Sequence, residues 1–281
     1  MKRHLFTGLC CAFLVSFLAS VPLLPAQAAQ ADSGAYKPTV GQVGKDVVWV
    51  PTSQDLIDIM LDMAELKPDD KLVDLGSGDG RTVISAAKRG VAARGIEYNP
   101  DLVALARSIA VQEGVADRVT LDQGDIFESD FSDATVVTLF LLPKLNMRLR
   151  PILLDMPPGT RVISNSFLME DWQPDETRKT SEDCSGHCIA YKWVVPSKVA
   201  GTWKIHGTTG ERKLVLHQKF QQLNGELHED GRSLALTDAI VNGTKISFRV
   251  DGKQYEAEVM GEELNGTIDG EQSWKATKVQ S

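Results

Sequence analysis

The sequence predicts an α/β chain: a parallel sheet covered by helices on both faces, followed by a small antiparallel β-barrel or sheet. Two textures carry this reading. From Val47 to about Pro196, strand-like and helix-like segments alternate, the pattern of parallel strands joined by crossover helices. After Pro196 the content of Gly, Thr, Lys and Glu rises, and short alternating segments are separated by turn signals with no helical period. A length of 281 residues suits one large domain or two unequal ones.

The elements follow in order. Thr52 is placed to cap a helix whose apolar positions Leu56, Ile59, Met60 and Met63 form one stripe. Lys71 to Leu75 is a short strand, and a Gly-rich loop follows at once. Arg81 to Lys88 continues as a helix, and Ala93 to Tyr98 is the second strand. Asn99-Pro100 opens the next helix, with the cap and the fixed-φ residue in their preferred order. Arg118 to Gln123 is the third strand. Ala134 to Leu142 is a continuous apolar run, as a strand buried on both faces requires. Helix Leu145 to Met156, a Pro-Pro-Gly turn and strand Arg161 to Phe167 complete five βα units. Cys188 to Val195 is a last strand, paired in a hairpin across a cysteine turn. Beyond Pro196, Lys213–Gln218, Gln222–Leu227, Lys245–Val250, Tyr255–Met260 and Trp274–Thr277 alternate between turns such as Asn242-Gly243 and Asp251-Gly252. Trp203 and Trp274 bracket this region of seven or eight strands, so the first and last are placed to meet and close it.

The first residues read as a targeting segment. Lys2 and Arg3 precede an almost wholly apolar run from Leu5 to Leu24, and Ala26-Gln27-Ala28 supplies the small residues a signal peptidase reads. The expected organisation is a signal peptide over 1–28, a linker over 29–46, a nucleotide-binding α/β domain over 47–196 and an all-β domain over 197–281. The competing reading is an uncleaved anchor, because the run approaches the ~20 residues that span a bilayer; membrane association is expected only in that case. Either way the rest of the chain is exported, to the periplasm or the outer face of a membrane. Cys184 and Cys188 remain beyond this segment, in Cys-Ser-Gly-His-Cys. A disulfide across the turn suits an oxidising compartment, with free thiols or a metal site that recruits His187 as the alternatives. The net charge of −8 opposes nucleic acid as a partner, since that needs a basic face.

The Gly-rich loop is the strongest chemical signal. A strand ending at Asp74, then Gly76, Gly78 and Gly80, lets the backbone turn sharply and approach a ligand closely. A dinucleotide would bring pyrophosphate, which a carboxylate at Asp74 repels. S-adenosylmethionine (SAM) has no phosphate; its methionine end carries an ammonium and its sulfur is a cation. Asp74 therefore fits SAM and opposes NAD. Glu97, at the end of the second strand, is placed to accept both ribose hydroxyls. Asp125, closing the third strand, is placed to accept from the adenine amino group while Ile126 covers the ring.

Asp74-Leu-Gly-Ser-Gly-Asp-Gly80, Gly95-Ile-Glu97 and Gly124-Asp-Ile-Phe127 resemble the successive SAM-binding motifs of class I methyltransferases, a Rossmann-like fold. Val50-Pro-Thr52 and Asp133 to Pro143 resemble one subgroup, the lysine methyltransferases acting on ATP synthase subunit c and the adenine nucleotide translocase, with their prokaryotic relatives. The resemblance covers Val47 to Pro196. It implies SAM as cofactor, Ser77 as part of the cofactor loop, Pro51 and Thr52 near cofactor or substrate, and a protein lysine as methyl acceptor. Enzymes that methylate planar amino groups commonly place Asn-Pro-Pro-Tyr after the fourth strand. Leu141-Leu-Pro143-Lys144 stands there instead, which speaks against such substrates. The all-β end lies outside this resemblance and is similar to small lipocalin-like barrels.

No general base is identifiable from sequence. Asp133, Asn165 and Tyr98 fall near the expected rim, where each also reads as an ordinary turn, strand or surface residue. Trp49 and Trp172 read first as packing that flanks the domain, with lining an acceptor channel as the alternative. Two other readings compete with an active enzyme: an exported non-catalytic binder of SAM or another nucleoside, and a chain whose β domain binds a protein, lipid or glycan.

Overall fold

The computed structural model describes residues 36–180, 186–206 and 212–279. The apolar N-terminal segment, the first part of the expected linker and Cys184 lie outside them. Helix α1 (Gln54–Met63) buries Leu56, Ile57, Met60, Leu61 and Met63. Its cap is Ser53, whose hydroxyl accepts from Leu56 N–H, not the expected Thr52. Next come β1 (Lys71–Leu75), α2 (Arg81–Lys88), β2 (Ala92–Glu97), α3 (Pro100–Gln112), β3 (Val119–Gln123), β4 (Val136–Leu139), α4 (Pro143–Leu154) and β5 (Arg161–Asn165). Strands β6 (Glu176–Lys179) and β7 (Ile189–Val194) form the hairpin expected across the cysteine turn, and Cys188 is disulfide-bonded.

These seven strands lie in the order β3-β2-β1-β4-β5-β7-β6. The pairings among β1 to β5 are parallel, and β7 runs antiparallel to both its neighbours. This is the class I methyltransferase sheet. Against the expectation of five βα units, helices follow only β1, β2 and β4; β3 reaches β4, and β5 reaches β6, without one. All parallel strands point the same way, so their C-terminal tips, at Leu75, Glu97, Gln123 and Leu139, share one edge of the sheet.

The second body is β8 (Gly201–His206), β9 (Arg212–Lys219), β10 (Gln222–Glu229), β11 (Arg232–Ala235), β12 (Thr237–Asn242), β13 (Lys245–Val250), β14 (Lys253–Met260), β15 (Glu263–Ile268) and β16 (Gln272–Lys278). Sequential neighbours pair antiparallel, and β16 returns to pair with β8, as the two bracketing tryptophans suggest. β11 and β12 act as one broken strand beside β10, so eight strand positions close a barrel. Alternation sends Trp203, Leu214, Phe248, Tyr255, Leu264 and Trp274 inward, where all are buried. Side chains fill this barrel as a core.

The barrel docks at the end of the sheet where β5 begins and β7 finishes, away from the C-terminal tips. Ser197 N–H donates to Gly243 O at 2.8 Å, and a Cβ on Gly243 would lie 3.2 Å from the Gly159 backbone. Phe220 stacks on Trp172 with ring centroids 6.0 Å apart, and Gln221 donates to Gln173 O at 2.6 Å. Trp172 is thus fully buried seam packing, not an acceptor-channel residue. Phe220→Ala is expected to cost roughly 2 kcal/mol by opening this seam while leaving SAM affinity unchanged. Thermal melts and calorimetric titration check both, and a loss of affinity would mean that the barrel shapes the cofactor cleft.

Candidate active site

A cleft of ≈ 1400 Å3, its open mouth included, lies at the C-terminal tips of the parallel strands. Asp74, Gly76, Ser77, Gly78, Glu97, Asp125, Ile126, Pro51 and Thr52 all line it. Gly80 does not. It caps α2 at φ +78°, where an added Cβ would meet Ala106 Cβ at 2.9 Å. The third glycine serves the packing of α2 against α3. Gly78 is bare for another reason: the Trp49 indole sits where its Cβ would be, at 2.8 Å.

The backbone N–H groups of the loop are already used. Gly76 and Ser77 both donate to Ile96 O, at 2.9 and 3.1 Å, and Gly78 donates to Glu97 Oε2 at 2.9 Å. The other Glu97 oxygen accepts from Asn99 N–H at 2.9 Å. One bond to each oxygen fixes the carboxylate and leaves lone pairs for two further donors, as a ribose diol requires. The loop therefore offers close approach more than hydrogen-bond donors. Ser77 Oγ is buried without a partner, an orphan polar atom beside the bare loop.

Asp74 sits at the tip of β1, 7 % exposed, with Oδ1 accepting from Thr138 Oγ1 at 2.7 Å. The pairing register sets Thr138 opposite Asp74, so one hydroxyl within the apolar β4 serves this carboxylate. Burial pushes the Asp74 carboxyl up to about 7, the nearby Glu97 charge adds to the rise, and the Thr138 and Thr82 hydroxyls oppose it. A cation placed against it would reverse that shift. Asp79 is bound by the Arg81 guanidinium, which also donates to Thr52 O at 2.9 Å. Arg81 thus ties the Pro51-Thr52 segment to the loop.

The expected linker is partly structured. Gly41 N–H donates to Trp49 O and Trp49 N–H to Gln42 O, both at 2.9 Å, forming a small hairpin that lines the cleft. From it Lys45 pairs with Asp125 and lies 4.6 Å over the Tyr98 ring. The Lys45 hydrogen bond holds the Asp125 carboxyl below the usual range, aided by the Phe127 N–H.

Of the rim candidates, Asp133 is misplaced. It pairs with Lys71 at 2.9 Å, and Lys71 begins β1, so Asp133 lies at the opposite end of the sheet. Tyr98 is half exposed at the mouth. Asn165 is buried and donates to Thr52 Oγ1 at 3.1 Å. Sequence reasoning missed Arg81, Thr138, Lys45 and the ring set Phe140, Phe167 and His187, all of which but Thr138 line the cleft. Thr138 was legible as one of two hydroxyls, with Thr135, inside the apolar run from Ala134 to Leu142. Among the described residues, no group of three or more His, Cys, Asp or Glu is placed to hold a metal ion.

The family model described as the ANTKMT methyltransferase domain matches residues 74–176. A protein-lysine N-methyltransferase of Saccharolobus islandicus is 39 % identical over 152 residues, covering 53 % of this chain and 94 % of that relative. The chain belongs to the ANTKMT methyltransferase family. The adenine nucleotide translocase lysine N-methyltransferase of Mus musculus is 37 % identical, covering 46 % of this chain and 56 % of its own. The chain thus spans little more than half the length of that family member. A solved structure described as an RNA methyltransferase from Salinibacter ruber in complex with S-adenosyl-L-homocysteine is 49 % identical. Its TM-score is 0.50, and the match covers 53 % of this chain and 96 % of that one.

SAM is the cofactor of this family fold, and the cleft suits it: a buried carboxylate lacking a cation, a bare loop and an oriented acceptor at Glu97. Bound there, SAM supplies an activated methyl group on a sulfonium. Asp74, Glu97, Asp125 and Ile126, the residues expected from sequence to meet the methionine end, the ribose and the adenine, all line this one cleft.

Two outcomes follow for Asp74. Asp74→Asn should weaken SAM binding by about 2–5 kcal/mol, at least ~30-fold, and Glu97→Ala should abolish it without unfolding the protein. Without ligand, the raised Asp74 pKa contributes stability that is fully present below pH 3.8 and lost as pH rises through about 7. The full shift corresponds to roughly 4 kcal/mol at most, taking ~1.4 kcal/mol per unit. The Asn variant escapes that loss, so it should melt higher than the unaltered protein at pH 8 and close to it at pH 4. An equal difference at both pH values would sink this account.

Proposed function

We propose that this chain transfers the methyl group of SAM to lysine side chains of proteins, and that it does so outside the cytoplasm. The observation that carries the acceptor class is the floor of the cleft. Phe140, Leu141, Leu142, Leu145 and Phe167 line it together with the SAM residues, giving the four methylenes of a lysine an apolar path. An apolar surround also favours the neutral amine that methyl transfer needs. Leu141-Leu-Pro143-Lys144 stands where enzymes acting on planar amino groups commonly place Asn-Pro-Pro-Tyr. Two of the relatives are named as lysine methyltransferases, of proteins and of the adenine nucleotide translocase.

The Salinibacter relative described as acting on RNA raises a second acceptor class. The net charge of −8 favours protein, since an RNA substrate is drawn in by a basic face. Export is supported by the basic start, the apolar run to Leu24 and the Ala26-Gln27-Ala28 site, and by the disulfide at Cys188. SAM is made in the cytoplasm, so this location requires a supply across the membrane.

The purified chain, incubated with methyl-tritiated SAM and an envelope extract, is expected to label material that protease destroys and nuclease does not. Acid hydrolysis should return the label as N-methyl-lysine. Label lost to ribonuclease would replace lysine with RNA. Cell fractionation should recover a chain beginning at Ala29 with the envelope; an intact N-terminus in the cytosol would end the export reading.

A further inference from the structure

The cysteine turn supplies a side chain to the acceptor end of the cleft. His187 lines the cleft with Phe140 and Phe167. Its ring meets Phe140 edge-on with centroids 4.9 Å apart, and Phe167 lies at 6.1 Å. The disulfide at Cys188 anchors the adjoining residue. On its polar side, His187 Nδ1 lies 3.2 Å from Ser166 Oγ.

The direction of the bonds beyond Ser166 decides which imidazole nitrogen carries the proton. Asn165 Nδ2 donates to Thr52 Oγ1 at 3.1 Å, so Asn165 Oδ1 is the acceptor end of that amide. Ser166 Oγ donates its one hydrogen to Asn165 Oδ1 at 2.8 Å. Ser166 Oγ then has only lone pairs to offer His187, so Nδ1 must be the donor and Nε2 the nitrogen with the free lone pair. The backbone supports the arrangement at some cost. Ser166 stands at φ +63°, a left-handed conformation costing on the order of 1 kcal/mol for a non-glycine residue and typical of functional sites. Its N–H is tied to Ile189 O at 2.7 Å, just past the cysteine turn.

We propose that His187 is the proton acceptor for the incoming lysine, held in its Nδ1–H form by the Ser166–Asn165–Thr52 chain. The assignment rests on the lysine reading above and supplies the base that reading lacks. The lysine ammonium gives one proton to Nε2, forming imidazolium. The freed lone pair makes the new N–C bond to the sulfonium methyl, and the C–S bond breaks with its electron pair remaining on sulfur. The products are a methylated ammonium and a neutral thioether, and the imidazolium returns its proton to water. The described groups in ring or hydrogen-bond contact with His187 are uncharged: Phe140, Phe167 and Ser166. The charged groups of the same cleft are Lys45, Asp46, Asp74, Asp79, Arg81, Glu97 and Asp125.

The test compares the unaltered chain with His187→Gln and Ser166→Ala, using methyl-tritiated SAM, the envelope extract and N-methyl-lysine as readout. His187→Gln should lower the rate at pH 7 by about 100-fold or more while the calorimetric SAM affinity stays within about twofold. The deficit should shrink as pH rises towards the intrinsic lysine pKa of ~10.4, because the substrate then sheds its proton to solvent. Independently of turnover, 15N-histidine NMR of the unaltered protein should show His187 protonated at Nδ1, and Ser166→Ala should shift it towards the Nε2–H form. N-methyl-lysine formed by His187→Gln at the unaltered rate, or an Nε2–H tautomer in the unaltered protein, would overturn the assignment and leave the lysine reading standing. An unaltered chain that labels no lysine would overturn both.

Discussion

The site is organised around a buried carboxylate with no cation beside it among the described residues. Asp74 lies between the core residues Val73 and Leu75 near the end of β1, and its burial is costly enough to hold the proton to about pH 7. Its surroundings limit that cost without removing it. Thr138 and Thr82 give hydroxyls, while Glu97 and Asp79 add negative charge from nearby. A group so placed is a liability to the empty fold and an asset to a cationic ligand, the usual exchange of stability for function at a binding site. SAM is a ligand of that charge, and it lacks the phosphate that a dinucleotide would bring.

The two bodies divide their work by which end of the sheet they occupy. The cofactor cleft uses the C-terminal tips, where backbone turns leave ligand-facing loops. The barrel packs at the other end, on Gly159 and through the Trp172–Phe220 seam, and its interior is filled by its own aromatic side chains. A role for the barrel in cofactor chemistry is therefore not built into the contacts.

Methyl transfer asks little of a protein beyond alignment, except when the acceptor arrives protonated. The proposed lysine acceptor must lose a proton inside an apolar cleft, and the residues closest to that requirement come from segments far apart in sequence. Phe140 follows β4, Phe167 follows β5, and His187 sits in the cysteine turn before β7. They meet because β4, β5 and β7 are neighbours in the sheet. The small hairpin at Gly41–Trp49 covers the cofactor side, with Lys45 on Asp125 and Trp49 on Gly78.

Much of this was legible in the chain itself. The glycine spacing after Asp74, the acids at the ends of the second and third strands, and the period change after Pro196 are local patterns, and local patterns fix strands, turns and helix starts. Asn99-Pro100 marked its helix for the same reason. What the chain order could not reveal were meetings between distant segments: Thr138 opposite Asp74, Arg81 reaching Thr52, Lys45 on Asp125, His187 against Phe140. Asp133 and Trp172 took the ordinary roles that competed with their site candidacies, since proximity in sequence to a strand end does not say which end of the sheet a side chain serves. Periodicity and backbone preference act over a few residues, whereas register and sheet order are decided only when the whole core packs.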